Sequence, residues 1–193
     1  MNIPNTTQLV LVAVIFLIIG GVIAMAAMRV QRTRRLKERF GPEYERAVNE
    51  LGDKRQAESE LDARLAHVNT LKIRPLTADE VNRYALEWQG TQTEFVDEPL
   101  TSLQKADRLI RDVMKARGYP VEDFEQRAAD ISVDYPELVT DYRGLHLIAV
   151  KEADDEVGTE EMRQAMVHGR ALFENLIRQE LTTEEAIAQK ENI

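Results

Sequence analysis

Leu9–Met28, LVLVAVIFLIIGGVIAMAAM, is a run of 20 residues without a charged side chain, and it predicts how the chain is organised. As an α-helix rising about 1.5 Å per residue, it would be roughly 30 Å long, the thickness of a bilayer's hydrocarbon core. A helix that is apolar on every face needs cover on all sides, which a chain of 193 residues is too small to supply. The run therefore predicts a transmembrane helix. The alternative is a cleaved signal peptide, because Ala24, Met25 and Ala26 resemble a cleavage site.

Six cations against a single acid follow the apolar run, and their position predicts its orientation. The cations are Arg29, Arg32, Arg34, Arg35, Lys37 and Arg39. Because positive flanks are retained in the cytoplasm, we expect a single span of the inner membrane with the N-terminus outside. The same six side chains are predicted to contact anionic lipid headgroups. This basic block, together with the lack of a positive segment before the run, favours an uncleaved anchor over a signal peptide.

The rest of the chain is acidic, and its composition excludes several classes of function. From residue 40 onward there are 19 basic and 33 acidic residues, a net charge of −14. Such a body repels phosphate backbones, so no nucleic-acid partner is expected. The absence of cysteine excludes zinc ribbons, iron–sulfur clusters and thiol catalysis, and three histidines leave little material for an imidazole metal site. No cofactor is predicted.

The segment after the basic block is predicted to be a charged stalk helix. An i, i+4, i+7 stripe of apolar residues occurs in it twice: Tyr44, Val48 and Leu51, then Leu61, Leu65 and Val68. Gly52 lies between the two stripes, so the stalk is either one long kinked helix or two helices joined there. Charged residues at seam positions argue against a coiled coil, although an oligomer formed through the stalk or the span stays open.

The chain is all-α by this pattern and divides into four segments. They are the N-terminal tail and transmembrane helix (1–28), the basic juxtamembrane segment and stalk (29–75), an acidic helical domain (76–181) and a polar tail (182–193). The acidic domain is of ordinary size for one small helical bundle.

Local signals place the helices of the acidic domain. Thr77–Glu80 forms a capping box, Gly118 is a helix stop, and Val96 is expected on a buried helix face. Pro136 is expected in the first turn of a further helix. Within that helix, Leu145–Val150 is apolar enough for a strand but continues a helical period. Residues 153–158 are predicted to form an acidic loop before the last large helix.

No catalytic signature occurs in the sequence, which favours a role other than catalysis. His146 and His168 lie on helices rich in apolar residues and are interpreted as hydrogen-bonded structural histidines. The alternative is that they share an interhelical pocket with neighbouring carboxylates. The acids Asp130, Asp134 and Asp141 do not fit the spacing of a calcium-binding loop and are interpreted as solvated residues.

Aromatic residues near helix ends are the candidates for an interaction surface. They are Trp88, Phe95, Tyr119 and Phe124. Aromatic groups of this kind are enriched at protein interfaces. Turn residues such as Pro99 and Gly118 explain the same segments as corners between helices, so both interpretations stay open.

Several of these segments together resemble a bacterial family of short, single-span membrane proteins. The resemblance is carried by FGPEYER (40–46), IRPL (73–76), RY through W (83–88), FVD (95–97), RGYPVEDF (117–124), RQAMVH (163–168) and LF (172–173). It covers residues 32–177 and implies an anchored helical domain in the cytoplasm. No activity is established for that family, so the resemblance implies no catalytic or ligand-binding residues.

Three functions follow as hypotheses. The first is a membrane-anchored helical interaction module, an adaptor or accessory subunit with a protein partner at the cytoplasmic face. The second is a small-ligand-binding or enzymatic helical domain that uses a pocket with His146, His168 and carboxylates. The third is an exported domain released by signal cleavage.

Overall fold

A computed structural model gives the fold and describes residues 6–151 and 157–178, with side chains from residue 14 onward. Within these ranges the chain has eight helices and no strand, so the all-α prediction is confirmed there. The helices are α1 (Thr6–Phe40), α2 (Pro42–Leu51), α3 (Lys54–Val68), α4 (Ala78–Glu94), α5 (Pro99–Arg117), α6 (Phe124–Asp134), α7 (Val139–Ala149) and α8 (Thr159–Arg178). The predicted polar tail and most of the predicted loop over residues 153–158 lie outside the described residues.

The first helix, α1, carries the apolar run and the basic block in one uninterrupted length of 35 residues. Its apolar window has a mean hydropathy of 2.1, and none of that window is buried against the rest of the chain. By length and composition α1 can therefore cross a bilayer. Met28, the predicted end of the transmembrane segment, is not an end of the helix, which continues to Phe40 and stops before Gly41 and Pro42.

The predicted stalk is two helices, because Gly52 separates α2 from α3. Gly52 adopts a left-handed conformation with φ of 65°, and Asp53 then caps α3 by accepting a hydrogen bond from the backbone N–H of Gln56. Both helices pack on the C-terminal part of α1 and α3 also packs on α6. The apolar cluster that results consists of Leu36, Phe40, Tyr44, Ala47, Ala57, Leu61, Val68 and Val133.

The main bundle is formed by α4, α5, α7 and α8, with α6 packed against α7. In its core the rings of Trp88 and Phe173 stack with their centroids 4.4 Å apart, which joins α4 to α8. At Gly169, α8 approaches α7 so closely that an added Cβ would lie 2.7 Å from the side chain of Leu145. Burial of these apolar faces is the main source of the bundle's stability.

Two of the predicted helix boundaries have the expected chemistry. Thr77 and Glu80 form the predicted capping box at the start of α4. Gly118 ends α5 with φ of 99°, a conformation that other residues rarely adopt. The turn is tight as well as left-handed, since an added Cβ on Gly118 would lie 2.6 Å from the carbonyl oxygen of Lys72.

Two local predictions are wrong, both near the ends of helices. Val96 is 84% exposed, because α4 ends at Glu94 and the following turn carries Val96 away from the core. Pro136 lies in a turn ahead of α7, which begins three residues later at Val139. The choice of helix over strand for the apolar run beginning at Leu145 is confirmed, since α7 continues to Ala149.

The two apolar clusters meet. Leu71 and Ile73, in the connection after α3, pack against both of them, and Val133 of α6 belongs to the cluster around α1. The segment 29–75 is therefore packed on the acidic domain rather than separated from it.

Candidate functional site

The candidate site is the junction, defined here as residues 29–68, which comprise the end of α1 together with α2 and α3. Asp62 of α3 lies at its edge between two arginines of α1. Arg32 Nε donates to one Asp62 oxygen at 2.7 Å, and Arg35 Nη2 donates to the other at 3.2 Å. Because the two arginines are one turn apart on α1, a single carboxylate fixes both of them and ties α3 to α1.

Most of the basic block is paired within the chain. Besides the two arginines at Asp62, Lys37 pairs with Glu45 at 2.7 Å, Arg39 with Asp134 at 3.3 Å and Arg34 with Glu38 at 2.8 Å. Arg29 has no ion pair to any residue in the described ranges. Exposed pairs of this kind contribute about 0–1 kcal/mol each. Four of the six residues predicted to contact headgroups, Arg32, Arg35, Lys37 and Arg39, therefore also hold α1 against the acidic body.

A buried carboxylate lies beneath this layer of ion pairs. Glu58 of α3 accepts hydrogen bonds from the hydroxyl groups of Thr33, at 2.6 Å, and Tyr44, at 3.0 Å. Burial acts to raise the pKa of Glu58, but these two hydrogen bonds, together with the charges of Lys54 and Arg32, hold that pKa below its usual value. The same burial, with the carboxylate beside it, raises the pKa of Tyr44 to about 12. Leu36 and Phe40 are fully buried in the same cluster.

A buried carboxylate, Glu43, which is 1% exposed, also connects the junction to the bundle. Arg143 of α7 donates to both of its oxygens, at 2.9 and 3.1 Å. Arg64 of α3 donates to Oε1 at 2.9 Å, and Arg46 of α2 donates to the same oxygen at 3.2 Å. Three guanidinium groups on three helices therefore surround one carboxylate, so the buried negative charge of Glu43 is paired with three positive charges.

The sequence reasoning missed this cluster around Glu43. Glu43 and Arg143 are 100 residues apart, and no local pattern relates them. The only sequence signal was the spacing of Glu43 and Arg46 at i, i+3, which is common on solvated helices.

Asp130 of α6 is a second buried carboxyl group, at the interface with α3. It is fully buried, accepts a hydrogen bond from Gln126 at 2.8 Å, and lies 3.7 Å from Nε2 of His67. Burial raises the pKa of Asp130, although Gln126 and the charge of His67 act in the opposite direction. The interpretation of Asp130 as a solvated residue is therefore wrong.

Of the four aromatic residues proposed as an interaction surface, two are buried in the core and two are partly exposed at its edge. Trp88 and Tyr119 are buried, and Phe95 and Phe124 are partly buried and pack against the same cluster. Tyr119 also donates a hydrogen bond from its hydroxyl group to Asp134 at 2.7 Å. The turn after α5 directs Tyr119 inward, which is the alternative that the turn residues supported, whereas Trp88 faces the core from the middle of α4.

The two histidines of the ligand hypothesis have different partners. Nδ1 of His146 lies 3.1 Å from Asp107, and its ring stacks on Phe124 with centroids 3.6 Å apart. Nδ1 of His168 lies 3.2 Å from Asp141. A surface cleft of about 440 Å³ between α7 and α8 includes His168 among its lining residues but not His146. Among the described residues no group of three or more side chains suited to a metal ion occurs.

Comparison with known proteins does not identify a relative. No family model, no curated protein and no solved structure matches this chain. The junction and the helix that enters it are the features of the chain that bear on its function.

Proposed function

We propose that the chain is a membrane-anchored helical interaction module, an adaptor or accessory subunit. Its body lies at the cytoplasmic face of the inner membrane and its N-terminus lies outside. The observation that carries the proposal is α1, whose apolar window has no protein cover and whose continuation enters the buried junction. Lipid is the solvent that suits a helix with apolar side chains on every face. Membership of the bacterial single-span family is proposed with it, since that family implies the same architecture.

The basic block supports the cytoplasmic position of the body, because cations that flank a span are retained on that side. The net charge of −14 from residue 40 onward makes a partner with basic surface the favoured kind. Anchoring raises the effective concentration of the body near other membrane proteins, so a weak surface suffices for a useful interaction.

The lack of a shared histidine site favours this module over the ligand-binding or enzymatic alternative. His146 and His168 each pair with a different aspartate, and only His168 lines the cleft between α7 and α8. A pocket that used both imidazoles, as the alternative requires, has no support in this arrangement.

Single-cysteine labelling tests the anchor and its orientation, and the natural lack of cysteine makes the background clean. Asn5→Cys is expected to react with a membrane-impermeant maleimide in intact cells from which any outer membrane has been removed. Gln89→Cys, on an exposed position of α4, is the matched control and is expected to react only after lysis. The reverse pattern would overturn the orientation, and an intact mass lacking the apolar run would establish the cleaved signal instead.

Proximity biotinylation tests the interaction role. An ATP-dependent biotin ligase is fused after Ile193, and a second fusion carries the ligase directly after residue 41 as a control that keeps the anchor but lacks the body. A short set of membrane proteins labelled by the first fusion and not by the second is the expected result. Identical sets from both fusions would contradict an interaction module, because the body would then add no specificity.

A further inference from the structure

The helix face where α1 leaves its apolar run carries a shallow, solvent-open hollow between side chains, here called the niche. It has a volume of about 380 Å³ and is lined by Met28, Gln31, Arg32 and Arg35. These positions follow the i, i+3, i+4, i+7 spacing of one helix face. An apolar side chain therefore lies at one end of the niche, while an amide and two guanidinium groups lie towards the other.

The position of the niche along α1 matches the headgroup layer of a membrane that α1 crosses. Met28 is the last residue of the apolar run, so Arg32 lies about 6 Å and Arg35 about 10 Å further along the helix axis. The polar layer of one leaflet is roughly 5–8 Å thick. Because side chains on a helix tilt towards its N-terminus, both guanidinium groups reach back to about the level of lipid phosphates, with Met28 at the level where acyl chains begin.

The two arginines are held in place and keep donors to spare. Asp62 accepts from Nε and Nη2 of Arg32 and from Nη2 of Arg35. A guanidinium group carries five N–H donors, so each arginine retains donors that Asp62 does not use. One carboxylate between two arginines also leaves a net charge of +1 on this trio, which Arg29 reinforces and the nearby carboxylate of Glu58 opposes.

We propose that the niche is a specific site for the headgroup of an anionic phospholipid, with the phosphodiester bound between Arg32 and Arg35 and an acyl chain along Met28. This inference rests on the proposed membrane anchoring. It narrows headgroup recognition from the whole basic block to one face of α1. A planar guanidinium group is suited to phosphate oxygens because it donates two parallel hydrogen bonds.

A matched pair of arginines separates a specific site from a general attraction of cations to the membrane. Arg35→Gln removes a cation that lines the niche. Arg34→Gln removes a neighbouring cation that is 80% exposed, is equally paired to a carboxylate, and points away from the niche by the helical rotation of about 100° per residue. A diffuse surface potential treats the two changes alike, whereas the niche responds to the first.

The measurement uses the full chain reconstituted in phosphatidylcholine membranes. Spin-labelled phosphatidylglycerol and phosphatidylcholine are compared, and their relative association constant with the protein is determined. Arg35→Gln and Arg32→Gln are each expected to lower the preference for phosphatidylglycerol by about tenfold, because each variant loses a charge-assisted hydrogen bond to the phosphodiester. Arg34→Gln is expected to lower it by less than about twofold, because a cation outside the niche acts on the headgroup only through a potential that salt screens. Equal losses for Arg34→Gln and Arg35→Gln would overturn the proposal.

Asp62→Asn distinguishes lipid binding from damage to the fold. Arg32→Gln and Asp62→Asn break the same ion pair, so a purely structural role predicts the same direction of change in both. The niche predicts opposite directions, because the asparagine still accepts a hydrogen bond from Arg32 while the competing negative charge is removed. A fall in phosphatidylglycerol preference for Asp62→Asn would therefore refute the proposal.

The outcome also separates this inference from the proposed function. If the wild-type chain immobilises lipid but shows no preference between the two headgroups, the niche is refuted and the anchor stands. If it fails to incorporate into phosphatidylcholine membranes at all, the anchor itself is refuted.

Discussion

Replacing Glu43 with glutamine is the most direct test of how the junction is attached to the bundle. The glutamine side chain has the same size as the glutamate, but it presents one neutral oxygen and one NH₂ group to guanidinium groups that only donate. Glu43 accepts four hydrogen bonds from Arg143, Arg64 and Arg46. In the variant at least one of them is replaced by a contact between the glutamine NH₂ group and a guanidinium N–H, both of which are donors. The arginines also lose the charge that balances them.

The expected loss is about 3 kcal/mol in the free energy of unfolding. Removing one member of a buried ion pair costs about 3–5 kcal/mol, because the remaining charge is left buried. We take the lower end because the side chain of Arg46 is 30% exposed and pairs with Glu50 as well, so it retains a partner. Domains of this kind have a total stability of about 5–15 kcal/mol, so the loss is a large part of the whole.

Urea unfolding of the full chain in detergent micelles, followed by helical circular dichroism, measures this loss. Glu45→Gln is the control, since Glu45 is on the same helix, forms a 2.7 Å pair with Lys37 and has a side chain that is 62% exposed. We expect it to cost less than about 1 kcal/mol. If the two substitutions shift the unfolding midpoint equally, the buried cluster contributes no more than a surface pair and the reasoning is refuted.

Three further predictions use the same unfolding measurement. Gly118→Ala should destabilise the chain by at least about 2 kcal/mol, since it combines left-handed strain with a clash against a backbone carbonyl. Gly90→Ala, at an open position on α4, should instead stabilise the chain by about 0.5–1 kcal/mol. Similar effects of the two substitutions would contradict this account. Asp130→Asn should stabilise the chain at neutral pH, because the raised pKa of Asp130 means that the folded state favours the neutral group. The gain in the free energy of unfolding should vanish as the pH falls towards 4. A gain independent of pH would argue against that cause. Trp88→Ala should cost about 3–5 kcal/mol as a core cavity, whereas Leu86→Ala, at an exposed position on the same helix, should cost little; equal losses would show that Trp88 is not a core residue.

The sequence was informative where structure follows from neighbouring residues. The apolar run, the capping box at Thr77 and the stop at Gly118 each depend on side chains within a few positions of one another, and each is found as expected. Leu103 and Ile110, seven positions apart on one face of α5, follow the helical period and are both fully buried. Such features are local, so composition and spacing contain them.

The sequence was uninformative where structure depends on which helices meet. Glu43 and Asp130 are charged residues in charged segments, and nothing in their neighbourhood distinguishes them from solvated acids until α2, α3, α6 and α7 are brought together. The interpretation of the aromatic residues stayed open for a related reason. A ring such as Tyr119 beside a turn has the same local signature whether the turn directs it outward to a partner or inward to Asp134.

The unbroken course of α1 has a geometric consequence for anything that meets the body inside a membrane. Leu36 and Phe40 are buried in the junction, and no break precedes them in α1. The rotational orientation of the body about the axis of α1 is therefore fixed relative to the apolar segment. One residue inserted after Met28 would turn the body by about 100° about the helix axis and advance it by about 1.5 Å, while four residues would return it to within about 40° of its starting direction. Binding to a partner anchored beside this protein would therefore depend more on the rotational orientation of the helix than on its length.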